Sequence, residues 1–299
     1  NPNYIKTTMT EPDELYTLRA QFWLGHYTLA MDEAKSIGRR PMSPDLKAER
    51  EEFIARCFIA TGQYDKVTAM DAPGVQALAL KAQYESLVGN EAAQAPVIDQ
   101  LKTLAASNPT SSVQLTTSQV LLSAGQTKEA LQQVFQGASM EQMAMILQIY
   151  LKLDRLDLAK QQLSTLKQKD EDAILTQLGS VYVSLATGSS GAGDAVHVLN
   201  SLTEQYGASP FLLNLMAAGL MMQGEYAAAE TKLQECLRDF NEVVIPDTLI
   251  NMIVCSVQQD KSPDEFVGKL KTQFPGHPFN AGLDRVTSAF DRESIKYKV

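Results

Sequence analysis

One short turn pattern recurs along the chain at a nearly constant spacing. Each copy starts with a glycine or aspartate, usually has tyrosine or leucine two positions later, and has a small residue five positions later. The clear copies start at Gly25, Gly62, Gly125, Asp154 and Gly224. Weaker copies lie near positions 89, 190 and 260. A single copy is weak evidence, but the shared spacing predicts a chain built from repeated structural units.

The residue types in this pattern have a physical explanation. Glycine readily adopts the positive φ that ends a helix, and the small residue lets the next helix approach the first closely. A period of about 34 residues is typical of tetratricopeptide repeats, which are pairs of antiparallel helices. We therefore predict an all-α, tetratricopeptide-like solenoid, a right-handed superhelix of antiparallel helix pairs closed by a C-terminal capping helix. The alternative is an irregular helical bundle with chance similarity.

The remaining sequence favours one continuous solenoid. Alternating strand patterns are nearly absent, and no proline lies between Pro109 and Pro210; an interior proline would cost a helix about 3 kcal/mol. Repeats that bury their faces only against neighbours form a single array. We assign 1–10 to an N-terminal tail and 11–299 to one α-solenoid, with turns near 25, 62, 89, 125, 154, 190, 224 and 260 and a closing helix at about 281–294.

Charge and cysteine content exclude several classes of function. The chain has 26 basic and 35 acidic residues and a net charge of −9, which is poorly suited to binding nucleic acid or an anionic membrane directly. Its three widely spaced cysteines indicate reduced thiols. The longest apolar run, 211–222, is too short to cross a bilayer. We expect a soluble cytosolic protein without nucleic-acid partners.

No motif in the sequence predicts catalysis. The acidic triplet Asp170, Glu171 and Asp172 lies between two helical patterns, so we interpret Asp170 as the N-cap of a helix that starts at Glu171. The glycine-rich segment 188–193 lacks the lysine of a phosphate-binding loop and is interpreted as an inter-helix linker. We therefore predict a non-enzymatic protein with no catalytic residues, no metal site and no cofactor.

The repeat register predicts which residues line the concave groove of the solenoid. The first helix of each repeat faces the groove, and its ninth positions include Arg19, Arg56, Gln119, Gln148 and Ala218. The apolar groove positions are Phe22, Trp23, Ile59, Leu122, Leu151, Met221 and Met222. Exposed apolar surface of this kind marks binding sites, and an adjacent tryptophan and arginine are typical of interface hot spots. The other interpretation of Trp23 is that it packs beneath the N-terminal end of the solenoid.

Longer stretches of the chain resemble one known family. The segment "LKLDRLDLAKQQLSTLKQKDEDAILTQLGSVYVSLATG" (151–188) closely resembles the middle of the epsilon subunit of coatomer, the coat of COPI vesicles. Similar stretches are "DEL" (13–15), "LGHY" (24–27), "QGEYAAAE" (223–230), "HPF" (277–279) and "FDR" (290–292). The resemblance covers nearly the whole chain and is loosest over 91–112.

The resemblance implies a structural coat protein in the cytoplasm that is peripheral on Golgi membranes and COPI-coated vesicles. Its implied direct partner is the C-terminal domain of the coatomer alpha subunit, with the rest of coatomer contacted indirectly. It would bind and stabilise that domain in retrograde Golgi-to-ER and intra-Golgi transport, and would reach membranes only through the assembled coat and an Arf-type GTPase. We therefore expect the groove to enclose an extended segment of the alpha subunit, with Arg19 and Arg56 meeting its acidic or carbonyl groups.

A rival function for the same fold is an adaptor or co-chaperone that clamps the C-terminal carboxylate of a peptide. That mode requires a basic cluster on adjacent first helices. The ninth positions supply only Arg19 and Arg56 before the series turns neutral, which makes a weak clamp. A basic cluster free to bind a carboxylate would distinguish this adaptor from a coat protein.

Overall fold

The computed structural model of the chain describes residues 13–68, 71–240 and 245–297. Within these ranges the chain forms sixteen α-helices and no β-strand, and the all-α prediction is confirmed. The predicted tail at 1–10 lies outside the described residues. None of the described helices is both long enough and apolar enough to cross a membrane.

The helices pack as consecutive antiparallel pairs followed by a closing helix. The first half contains α1 (Tyr16–Trp23) with α2 (Tyr27–Ile37), α3 (Pro44–Ala60) with a 3-10 turn (Tyr64–Lys66), α4 (Pro73–Ser86) with α5 (Glu91–Ser107), and α6 (Ser111–Ser123) with α7 (Thr127–Val134). The second half contains α8 (Met140–Lys152) with α9 (Leu156–Lys169), α10 (Ile174–Ala186) with α11 (Ser189–Tyr206), α12 (Pro210–Met222) with α13 (Tyr226–Asp239), α14 (Pro246–Gln258) with α15 (Asp264–Gln273), and α16 (Pro278–Ser294).

The turn inside each pair has the left-handed backbone that the sequence pattern requires. A residue with positive φ follows each first helix: Gly25, Gly62, Gly89, Gly125, Asp154, Gly188, Gly224 and Asp260. Two of these positions are aspartates, a residue type that tolerates this conformation better than most. The turn expected near 190 falls at Gly188, because α11 begins immediately after it at Ser189.

The small residues of the pattern are packing residues. Ala30, Ala130, Ala159, Ala195 and Ala229 are fully buried, each on the second helix of its pair. Their short side chains allow the second helix to lie close against the first. The second repeat departs from this arrangement, since its second helix is reduced to the 3-10 turn Tyr64–Lys66.

Two predicted boundaries are wrong by three residues. The helix after the acidic triplet begins at Ile174 rather than Glu171, with Ala173 at its N-cap. The closing helix begins at Pro278 rather than 281, because a proline at the first helical position is preorganised for the helix. Its N-cap, His277, accepts a hydrogen bond from the Phe279 backbone N–H at 3.2 Å.

The superhelix closes on itself at the first repeat. Ala20 and Leu24 of α1 share a buried apolar cluster with Leu178 of α10 and Leu212 of α12. The Ser209 hydroxyl, at the start of α12, donates a hydrogen bond to the Leu24 carbonyl at 2.6 Å. This contact joins residues 185 positions apart, so the N-terminal repeat packs against the later repeats and the concave surface lies between them.

Candidate functional site

The concave surface at the centre of the superhelix forms a cavity of about 310 Å³, the central cavity. It is partly open to solvent, because Ala60 and Gln148 in its lining are exposed. Its walls come from the first helices of successive repeats and from the start of α2. The lining residues are Phe22, Trp23, Tyr27, Arg56, Ile59, Ala60, Leu78, Lys81, Leu115, Gln119, Glu141, Ala144, Met145, Gln148 and Leu175. Apolar walls with a few convergent polar groups are typical of binding sites.

A second cavity of about 170 Å³ adjoins the first. The two share Trp23 and Ala144 among their lining residues, and the second extends towards Tyr182 of α10 and Phe211 of α12. Burial raises the pKa of Tyr182 to about 12, so its hydroxyl stays neutral. The concave surface therefore continues along the axis of the superhelix as an uncharged, largely apolar passage.

The structure brings together only part of the sequence-predicted groove. Phe22, Trp23, Arg56 and Ile59 all line the central cavity, as do the ninth-position residues Gln119 and Gln148. The other predicted groove residues do not line it, and they pack or lie elsewhere: Leu122 in the α6–α7 core, Leu151 in the α8–α9 core, Met221 in the α12–α13 core, Met222 on the surface, and Arg19 in an ion-pair network beside the cavity. Their role in partner binding stays a prediction.

Trp23 is held in the cavity wall by a shared carboxylate. Its indole N–H donates to Glu141 Oε1 at 2.9 Å, and Arg56 Nη1 donates to the same oxygen at 2.8 Å. The indole also packs edge-on against Phe53, with ring centroids 6.4 Å apart. Trp23 therefore combines the two roles that the sequence leaves open, because it packs at the closure of the solenoid and also faces the cavity.

Arg56 is neutralised within the protein. Besides Glu141 it pairs with Glu52 at 3.7 Å, and its guanidinium carbon lies 4.7 Å from the centroid of the Phe53 ring. Burial acts to lower the pKa of Arg56, but the charges of Glu141 and Glu52 outweigh it and raise the pKa above its usual range. Two ion pairs and the contact with the Phe53 ring therefore hold Arg56 in the cavity wall.

Arg19 is neutralised in the same way. It makes a bidentate pair with Glu49, with both N–O distances at 2.8 Å, and a further pair with Asp13 at 2.6 Å. Bidentate arginine–carboxylate pairs are the stronger class of charge-assisted hydrogen bond. Both arginines therefore already have carboxylate partners in their own chain, and the expectation that they meet acidic or carbonyl groups of a partner stays a prediction.

Lys81 is a cavity residue that the repeat register did not identify. Its ammonium group donates to Gln119 Oε1 at 2.8 Å, and the side chain is half-buried. Burial lowers its pKa to about 8, and the negative charge of Glu85 offsets this only in part. The third repeat has no clear copy of the turn pattern, so the groove register could not be extended from sequence to α4.

The acidic triplet has a structural role. Asp170 Oδ1 accepts hydrogen bonds from the backbone N–H groups of Asp172 and Ala173, both at 3.1 Å. The carboxylate thus ties down the turn before α10, although the helix itself starts later than predicted. Across the described part of the chain, no group of three or more His, Cys, Asp or Glu side chains is arranged to hold a metal ion.

The glycine-rich segment 188–193 forms the turn and first residues of α11. Gly191 lies directly against the backbone of α10, where a Cβ atom would overlap the carbonyl oxygen of Ser184. This close approach accounts for the glycine without any bound phosphate. The linker interpretation is wrong for 189–193, which lie inside α11, and only Gly188 lies in the turn.

Comparison with known proteins gives a consistent match. The model of the family described as "Coatomer epsilon subunit" matches residues 11–298. Coatomer subunit epsilon-2 from Oryza sativa subsp. indica is 33% identical over 289 residues, covering 94% of this chain and 96% of the relative. Coatomer subunit epsilon-1 from Arabidopsis thaliana is 32% identical (95% and 96% covered), and coatomer subunit epsilon from Dictyostelium discoideum is 28% identical (95% and 99%).

A solved structure supports the fold independently. A tetratricopeptide repeat protein from Parabacteroides merdae superposes with a TM-score of 0.51, covering 87% of this chain and 91% of that one at 12% identity. At so low an identity the likeness concerns the fold alone. It confirms the tetratricopeptide-like architecture predicted from the turn pattern.

Proposed function

The chain belongs to the coatomer epsilon subunit family, and from this premise we propose that it binds the C-terminal region of the coatomer alpha subunit on its concave surface. Family membership makes it a structural component of the COPI coat. The proposal adds the direct partner and the surface that holds it. The rest of the coat would then be contacted through the alpha subunit.

The observation that carries the proposal is the central cavity, which several repeats build together. First helices of five repeats, α1, α3, α4, α6 and α8, contribute to its walls together with α10. A wall built from so many elements offers one partner segment contacts distributed over the whole first half of the chain. Such a segment would tie the repeats together and would in turn be stabilised by them, since a ligand that binds only the folded state stabilises it.

The character of the walls supports an extended polypeptide segment as the occupant. Ile59, Leu78 and Leu115 supply apolar surface, and Gln119 and Gln148 supply amide groups that can donate to and accept from a peptide backbone. A peptide segment with apolar side chains fits these walls, because its side chains can contact the apolar surface and its backbone can hydrogen-bond to the amide groups. The peptide-clamp alternative lacks support here, because Arg19 and Arg56 are already paired with carboxylates.

This function would place the protein at COPI-coated vesicles of the Golgi, in retrograde Golgi-to-ER and intra-Golgi transport. Recruitment would occur with the assembled coat through an Arf-type GTPase. The net charge of −9 supports this indirect attachment, because an acidic protein is repelled by anionic lipid headgroups.

The test is titration calorimetry of the full chain with the C-terminal domain of the alpha subunit. Ala144 lines both cavities and is half-buried, so Ala144→Trp should fill the space and weaken binding at least tenfold. Ala228→Trp is the matched control, because Ala228 is exposed on α13. Circular dichroism checks that both variants are folded. Binding by folded Ala144→Trp that equals the control would move the interface off the concave surface, and no binding by wild type would refute the partner.

A further inference from the structure

We propose that Lys81 is the charge anchor of the concave surface, pairing with a carboxylate side chain that the bound segment of the alpha subunit carries. The inference rests on the proposed function and deepens it, since it assigns a chemical group to the occupant of the cavity. It also replaces the arginines that the sequence had suggested for this role.

The two cations of the cavity wall differ in whether they have a carboxylate partner. Arg56 is paired with Glu141 and Glu52. Lys81 lines the same cavity, yet among the described residues no carboxylate oxygen lies within 4.0 Å of its ammonium nitrogen. Its side-chain hydrogen bond goes to a neutral amide, Gln119 Oε1 at 2.8 Å.

The Lys81 ammonium group has more hydrogen-bond donors than the Gln119 amide uses. A lysine ammonium group carries three donors, and the Gln119 amide satisfies one of them. The other two donors are therefore available to a group that enters the cavity. A carboxylate entering the cavity would satisfy the charge and the donors together, and the attraction would be strengthened by the exclusion of water.

Charged residues on α4 and on neighbouring helices affect the protonation of Lys81. Glu85, one turn later on α4, favours its protonated form, and Arg56 on α3 opposes it. Glu141 on α8 faces the same cavity but is engaged by Trp23 and Arg56. The net effect of burial and these neighbours is a pKa of about 8. A bound carboxylate would raise that pKa, so binding above neutral pH should be accompanied by proton uptake.

The experiment uses Lys81→Met, which keeps a long side chain and removes the charge. The binding partner is the C-terminal domain of the alpha subunit, and affinity is measured by titration calorimetry at pH 7. Removing one partner of a buried charge pair should weaken binding by at least about 30-fold. Lys160→Met is the control, because Lys160 is exposed on α9. The Lys81 variant should be as stable as wild type or more stable, because it removes a desolvated charge.

Gln119→Glu gives a second, nearly isosteric test that leaves Lys81 in place. It places a carboxylate of this chain where the amide oxygen of Gln119 now accepts a hydrogen bond from the Lys81 ammonium group, at 2.8 Å. The lysine would then be neutralised internally, and the new charge would repel the carboxylate of the partner. Binding should weaken at least tenfold, although the cavity keeps its shape.

Proton uptake distinguishes a carboxylate partner from a backbone carbonyl. Titrations at pH 8 in two buffers of different ionisation enthalpy should show proton uptake by wild type and its absence in Lys81→Met. Double-mutant cycles of Lys81→Met against each acidic residue of the alpha domain should reveal one strongly coupled pair.

The outcomes separate the two proposals. If wild type binds and Lys81→Met binds equally well, the charge anchor is refuted while the proposed partner stands. The same holds if no acidic residue of the alpha domain couples to Lys81. If wild type does not bind the domain at all, the proposed function itself fails.

Discussion

Replacing Glu141 should destabilise the closed superhelix, because this carboxylate joins α8 to both α1 and α3. One oxygen, Oε1, accepts the Trp23 indole N–H at 2.9 Å and the Arg56 guanidinium at 2.8 Å. The side chains of Arg56 and Glu141 are only 10% and 22% exposed. Glu141→Ala would leave the guanidinium with Glu52 alone, 3.7 Å away.

The magnitude follows from the two lost hydrogen bonds. Both bonds end on the Glu141 carboxylate, and a hydrogen bond to a charged group contributes about 1.5–3 kcal/mol. Some of this is regained if Glu52 moves closer to Arg56, so Glu141→Ala should cost about 2–4 kcal/mol of unfolding free energy. Glu141→Gln keeps an acceptor for Trp23 and loses the charge, and should cost about 1–2 kcal/mol.

Urea denaturation followed by circular dichroism measures these costs, and fluorescence reports on the site itself. Trp23 is the only tryptophan of the chain, so a red-shifted emission in folded Glu141→Ala would show that its indole has gained water. Glu265→Ala is the control, because Glu265 pairs with Lys269 at 2.6 Å on the surface and is 69% exposed. Exposed pairs contribute about 0–1 kcal/mol. Equal stability of the Glu141 and Glu265 variants would refute the structural role of this carboxylate.

Three further substitutions test the repeat architecture by the same denaturation assay. Asp170→Ala removes the acceptor of two backbone N–H groups and should cost about 0.5–2 kcal/mol; tight metal binding by wild type that the variant loses would instead make this aspartate a ligand. Ala159→Leu should cost about 1–3 kcal/mol by overpacking a fully buried position, while the exposed neighbour change Lys160→Gln should stay within about 0.5 kcal/mol, and equal effects would contradict the repeat register. Gly191→Ala should destabilise by more than about 1 kcal/mol, because its Cβ would overlap a backbone carbonyl of α10; a neutral effect would show that the two helices are free to separate.

The helix pairs could be predicted from sequence because they depend on local chemistry. A turn residue with positive φ and a small residue five positions later specify one pair without reference to the rest of the chain. Gly125 and Ala130 illustrate this, since the first has a φ of 76° and the second is fully buried. The strength of the pattern does not predict how complete a pair is, since the second repeat follows the clear copy at Gly62 yet has no full second helix, whereas the weak copy near 89 lies between the full helices α4 and α5.

The closure of the superhelix could not be predicted, because it depends on small rotations accumulated over many repeats. The hydrogen bond from Ser209 to Leu24 spans 185 residues, and no local pattern at either position indicates it. Closure also decides which predicted groove positions meet. Trp23 lines the central cavity, whereas Met222, which precedes its turn glycine by two residues as Trp23 does, remains at the surface.

Charge pairing across the concave surface gives Arg56 a structural role that its position in the sequence does not reveal. A sequence shows Arg56 as a cation at a groove position, but its partner Glu141 lies 85 residues away on α8. Once paired, the arginine stabilises the wall and has little attraction left for an incoming carboxylate. Lys81 faces the same space with an amide as its side-chain acceptor, so it keeps donors for a carboxylate of a binding partner. Stabilising the wall and attracting the partner are thus assigned to different cations. Glu141→Ala should destabilise the isolated chain, whereas Lys81→Met should leave it as stable as wild type or more stable.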